Sequence, residues 1–167
     1  QVTPPVAATP RPTATNTFPT KPINVRFRSS KTRPDDVAVI IGNADYTQGK
    51  DIPNVAPAYA DAEGMKRYVK QALGVADDNI IFLKDATQKD MISTFGTESN
   101  HKGRLFRYLV PGKSRVFVYY AGHGVQEGQA NWMIPVDAEI DKPEHISVEA
   151  VAVNQVLARM GGARTAA

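Results

Sequence analysis

The apolar and polar positions of this chain fall into alternating blocks with two different periods. Val37 to Ile41 is a continuous apolar run stopped by Gly42-Asn43, and Val116 to Tyr120 (VFVYY) is a second, with no polar alternation. Runs of β-branched and aromatic residues at this length predict strands buried on both faces, VFVYY being of the kind found in the middle of a parallel sheet. Asn79 to Leu83 predicts a third strand. Between the first two strands in sequence the period changes: Ala58, Ala62, Met65, Val69 and Leu73 recur at helical spacing. A helix is therefore expected from Pro57, which suits a first turn, to about Leu73, with Gly74 as its left-handed cap. Asp85-Ala86-Thr87 leads into a second helix, and Thr87 with Asp90 has the spacing of a capping box. Thr47 to Val55 and Phe95 to Lys102 are expected as loops. Lys102 to Val110 predicts a third helix, turned into VFVYY by Pro111-Gly112. Beyond VFVYY, Trp132 to Val136 predicts a short accessory strand and Asp137 to Ser147 an exposed acidic loop. Val148 to Met160 then reads as a helix stopped by Gly161-Gly162. No internal repeat is present. Strands alternating with helices imply βαβ units, hence an α/β fold with a mostly parallel sheet and helices on both faces.

Composition divides the chain unevenly. The 167 residues suit one domain with its own core. Residues 1–34 hold seven of the 12 prolines, many threonines, and six Lys/Arg without one acidic group. Such a segment cannot bury enough apolar surface to offset its ordering entropy, so 1–34 is expected to be a disordered, basic Pro/Thr-rich linker, with the folded domain at 35–167. Linkers of this composition are common in exported bacterial proteins, which points to an extracytoplasmic location. The remaining 133 residues carry 14 basic and 17 acidic groups, a net of −3, so the overall +3 comes from the linker. Without a basic stripe interleaved with aromatics, the domain offers no nucleic-acid surface. No apolar run approaches the ~20 residues of a membrane helix.

Chemistry concentrates where VFVYY ends, in Ala121-Gly122-His123-Gly124. Glycines on both sides of one histidine let the backbone turn sharply and leave the imidazole without bulky neighbours. In open α/β sheets the carboxyl ends of strands are where ligands and catalytic groups gather. A hydrogen-bonded turn histidine would satisfy the same pattern. The first strand is followed by a single glycine, without a G-x-G-x-x-G or Walker pattern, which argues against a nucleotide site. His101, His123 and His145 are evenly spaced but form no short ligand cluster, so no metal site is expected. Ser114 and Ser147 lack the setting of a nucleophile elbow. Cysteine is absent, which excludes disulfides and zinc–thiolate sites. Asp61 lies one turn into the first helix, four residues before Met65 and so on its inward-leaning side; a carboxylate there is also favoured by the helix dipole.

Four segments in order carry a family resemblance: VAVIIGNADY (Val37 to Tyr46), APAYADAEGM (Ala56 to Met65), NIIFLKDAT (Asn79 to Thr87), and YYAGHG followed by NWMIPVDA (Asn131 to Ala138). They resemble caspase-like cysteine peptidases of clan CD, and among these the bacterial caspase homologues, metacaspases and paracaspases, over roughly Asp35 to Met160. The resemblance implies a three-layer α/β/α sandwich, the large-subunit part of the caspase fold. It implies that His123 works with a cysteine and that the backbone of Gly124 helps hold the oxyanion. Asp61, with Asp45 as rival, would line a pocket for the Arg or Lys preceding the cut in a protein or peptide substrate. No cofactor is implied, and no calcium-loop motif is recognisable. Caspase-type enzymes place their cysteine roughly 50 residues after the histidine. Counted from His123, that lies just beyond Ala167, so the chain is expected to be truncated before the cysteine-bearing strand and inert alone. The competing class is a non-catalytic caspase-like module that binds partners.

Overall fold

The computed structural model describes residues 19–49 and 51–165. Val37–Gly42 forms β1, and its residues alternate between two faces that are both covered. Val37, Val39 and Ile41 enter one apolar cluster with Met91, Phe95, Leu105 and Val156. Ala38 and Ile40 enter another with Ala62, Val69 and Val75. The first cluster is built on α2 (Gln88–Phe95), α3 (Arg104–Tyr108) and α5 (Val153–Thr165), the second on α1 (Ala58–Gln71). Helices thus cover both faces, and the architecture is the three-layer α/β/α sandwich.

The main sheet has three strands in the order β2-β1-β3, with β2 at Ile80–Lys84 and β3 at Val116–Ala121. Both pairings are parallel, and Gly42 lies level with Lys84 on one side and Ala121 on the other. The carboxyl ends of all three strands therefore share one edge. The central strand is β1, not VFVYY: the six residues of β1 are buried, whereas each residue of β3 is half-buried. Among the described residues β3 pairs only with β1, so its outer edge is unpaired and its two apolar faces are only partly covered.

Elsewhere the chain departs from its sequence pattern. Pro57 is the N-cap of α1, and the helix stops at Gln71, with Gly74 at φ +76° just beyond. There a side chain would run into the Lys31 carbonyl oxygen, so only glycine fits. The Thr87–Asp90 capping box forms, with the Thr87 hydroxyl accepting from the Asp90 amide and the Asp90 carboxylate accepting from the Thr87 amide. The third helix is shorter than expected, Arg104–Tyr108. The accessory strand is one of three: β4 (Gly124–Glu127), β5 (Ala130–Met133) and β6 (Val151–Ala152) form an antiparallel sheet. The segment expected as one helix from Val148 is thus split. Its first turn belongs to α4 (Ile146–Glu149), β6 pairs with β5, and α5 starts at Val153 and continues through Gly161-Gly162 to Thr165. Two mid-helix glycines cost about 1 kcal/mol each in propensity. The expected acidic loop contains a 3₁₀ turn at Pro143–His145 and buries Ile146.

Of the linker expected at 1–34, residues 1–18 lie outside the described part. Residues in 19–34 contact α1: the Phe27 ring packs edge-on against Tyr68 at 5.2 Å, and the Ser30 amide donates to the Gln71 carbonyl at 2.8 Å. The Arg67 guanidinium donates to the Ile23 carbonyl, and Arg33 bridges to Val75. No helix among the described residues is long and apolar enough to cross a membrane.

Candidate active site

The edge formed by the carboxyl ends of β1, β2 and β3 carries His123, Asn43, Asp45 and Asp85 on adjacent loops. α1 begins there too: a side chain at Gly42 would lie 2.9 Å from the Ala58 carbonyl oxygen. That close approach puts Asp61, in the first turn of α1, at the same edge.

His123 is held from several directions. Its backbone N–H donates to the Tyr46 hydroxyl at 2.9 Å, and its carbonyl accepts from the Tyr120 hydroxyl at 2.8 Å and from the Ile134 amide at 3.0 Å. The two hydroxyls are 3.0 Å apart, and both also reach the Ile134 carbonyl. Burial pushes the ionisation of both phenols above its ordinary range, so they remain neutral hydrogen-bonding groups. Gly122 is favoured on steric grounds: a Cβ there would sit 2.6 Å from the Tyr120 oxygen and 2.7 Å from the Tyr46 oxygen. Asn43, fully buried, completes the frame. Its side chain accepts from the Ala86 amide at 2.8 Å and donates towards the carbonyls of Ala86 and Ile134, at 3.2 and 3.3 Å.

The imidazole itself is half-exposed. Its ring meets Tyr46 edge-to-face at 4.8 Å, and Nε2 lies 2.6 Å from the Pro53 carbonyl oxygen. A carbonyl can only accept, so Nε2 carries the proton and, in the neutral ring, Nδ1 holds the free lone pair. Gly124 opens β4 opposite Met133. Because the Ile134 amide donates to the His123 carbonyl, antiparallel alternation makes Gly124 a non-hydrogen-bonded position. Its N–H therefore points away from β5.

The two candidate carboxylates differ. Asp45 folds back on its own loop, accepting from the Thr47 amide at 3.0 Å; the hydrogen bonds from Thr47 hold its carboxyl below the usual carboxylate value. Asp61 is exposed rather than buried, and among the described residues no hydrogen bond or ion pair engages its carboxylate. The inward lean expected from its spacing to Met65 is not realised, because Ala62 is the residue that packs on the sheet. Burial, and then the negative charge of Asp61, raise the ionisation of Tyr119 on β3. His101 meets Phe106 edge-to-face at 5.1 Å and His145 contacts Asp141 at 2.7 Å, so the contacts of both lie away from His123. Among the described residues no group of three or more His, Asp or Glu is placed to hold a metal ion.

The profile of the caspase domain family, peptidase C14, matches residues 35–164. The chain belongs to the caspase domain family. That family is one of cysteine peptidases, and the α/β sandwich with its histidine at the carboxyl edge is consistent with it. No curated protein matches the chain. Within this caspase domain, sequence reasoning missed the residues that hold His123. Tyr46 was visible only as the end of VAVIIGNADY, and Tyr120 only as an apolar residue of VFVYY. Pro53 acts through its backbone carbonyl, for which the side-chain sequence carries no signal.

Proposed function

We propose that this caspase domain is the histidine-bearing part of a cysteine endopeptidase that cuts after Arg or Lys. The observation that carries the reading is the Pro53 carbonyl bound to Nε2 of His123, which leaves Nδ1 as the nitrogen able to exchange a proton. The nucleophile is a cysteine on a strand that adds along the unpaired edge of β3, parallel to it, with its carboxyl end beside His123.

In the reaction the cysteine thiol gives its proton to Nδ1, and the thiolate sulfur attacks the scissile carbonyl carbon. The carbonyl oxygen becomes an oxyanion that accepts from the N–H of Gly124 and of the cysteine. The C–N bond breaks as the imidazolium returns its proton to the departing amine. Water, deprotonated by His123, then hydrolyses the thioester and releases the acid and the thiol. The Pro53 carbonyl holds the ring through both proton transfers, and the family's reliance on a thiolate makes a third acid unnecessary. Asp61, with its free carboxylate at the same edge, pairs with the Arg or Lys side chain of the substrate. Asp45, engaged by Thr47, is the less suited of the two.

Residues 1–167 contain no cysteine. That fact favours a second reading, a caspase-like module that binds protein partners without cutting them. Sequencing the gene past the codon for Ala167 separates the two. An apolar run ending in Asp-x-Cys within about 15 codons is expected for the peptidase; an open frame continuing without a cysteine there would overturn it.

A further inference from the structure

Asp85 stands at the end of β2 with φ +50°, a left-handed backbone that non-glycine residues rarely adopt. Its amide is anchored to the Gly42 carbonyl at 3.0 Å, and its carboxylate gathers groups from two other elements. One oxygen accepts from the amides of Ala44 and Asp45, each at 2.9 Å; the other accepts from the Tyr59 hydroxyl of α1. The amides it receives belong to the loop that leaves β1, and the next residue is Tyr46, the support of His123. In this geometry the carboxylate closes the turn after β1, and the turn aims the Tyr46 ring and hydroxyl at the histidine. The same carboxylate ties in the first turn of α1, two residues before Asp61.

We infer that Asp85 is a positioning residue for the proposed peptidase: its carboxylate, held in a left-handed backbone, sets the Ala44–Asp45 turn and through Tyr46 the orientation of the His123 imidazole. The inference rests on His123 being the working group, but its test reads the ring directly and needs no turnover. A backbone that rarely accommodates side chains is retained here by a residue whose three carboxylate hydrogen bonds all serve the edge where His123 sits. Asparagine tolerates the same φ and keeps one acceptor oxygen for the two amides. Glycine adopts the φ more readily than either but supplies no acceptor.

The test is a long-range ¹H–¹⁵N correlation of the histidine rings in the 1–167 chain, with Asp85→Asn, Asp85→Gly and Asp36→Ala. Asp36 pairs with Arg115 at the opposite edge of the sheet and controls for general loss of stability. In the parent chain, His123 is expected to show one dominant tautomer with the proton on Nε2. Asp85→Asn should retain that signature and Asp36→Ala should retain it even if less stable. Asp85→Gly should fold yet average the tautomers, with His123 shifts moving towards those of a free histidine. An unchanged His123 signature in Asp85→Gly overturns the inference, as does equal loss in Asp36→Ala. Failure of the peptidase reading would show instead as a parent chain that keeps the Nε2 tautomer while the cysteine-bearing protein has no activity.

Discussion

Two phenol oxygens a hydrogen bond apart hold one histidine loop, and single-residue changes there have distinct expected effects. Tyr46→Phe removes the acceptor of the His123 amide, leaving a part-buried donor unpaired at a cost of about 1–2 kcal/mol. Chemical denaturation checks the stability, and faster exchange of the His123 amide locates the change. Gly122→Ala places a methyl within 2.7 Å of both hydroxyls and should cost about 1–3 kcal/mol, measured in the same way. Asp61→Asn acts on specificity instead. A charge-assisted hydrogen bond is worth about 1.5–3 kcal/mol, so kcat/KM for Arg and Lys peptides should fall about ten- to a hundredfold in the cysteine-bearing protein. The fold should be untouched, since Asp61 is exposed. The motif Gly-His-Gly was legible in the sequence because glycine spacing signals a tight turn. The orienting groups were not, because their roles depend on register: Tyr46 and Tyr120 meet only when β1 and β3 pair in parallel with Ile41 opposite Tyr120.

At the scale of elements, local signals were read well where they were self-contained. The Thr87–Asp90 box caps α2 as its spacing indicates, and Thr87→Ala should lower the thermal midpoint, corresponding to about 1 kcal/mol. The strand β1 was legible from its continuous apolar run and the helix α1 from its helical period. The segment after Ala150 was not, because its apolar residues fit either period. Val151 and Ala152 are taken up by β5, a tertiary pairing that a local pattern does not contain. The exchange of centre and edge in the main sheet has a related cause. Both apolar runs look alike, and β1 becomes central because α1 on one face and α2, α3 and α5 on the other close over it.

For the whole molecule, the two edges of the sheet carry different charge arrangements. At the amino edge the buried Asp36 carboxylate accepts from the Arg115 backbone N at 3.1 Å, Nε at 2.9 Å and Nη2 at 2.5 Å, joining β1 to β3. Burial alone would raise its ionisation, but the hydrogen bonds and charge of Arg115 bring it below the ordinary 3.8. A carboxyl depressed on folding contributes stability above its unfolded value, and that contribution is lost as pH falls from 3.8 through the lower folded value. Asp36→Asn should therefore be less stable than the parent near neutrality, with the difference shrinking below about pH 4 in denaturant titrations. The carboxyl edge, where β3 lacks an outer neighbour among the described residues, is where the proposed chemistry requires a strand with a cysteine. Hydrolysis of a fluorogenic peptide ending in Arg tests that requirement most directly, comparing the gene product that continues through the cysteine, its His123→Ala variant and residues 1–167. Cleavage only by the first, falling to background in the other two, is the result expected; equal cleavage by the His123→Ala variant, or any by the cysteine-free chain, would contradict it.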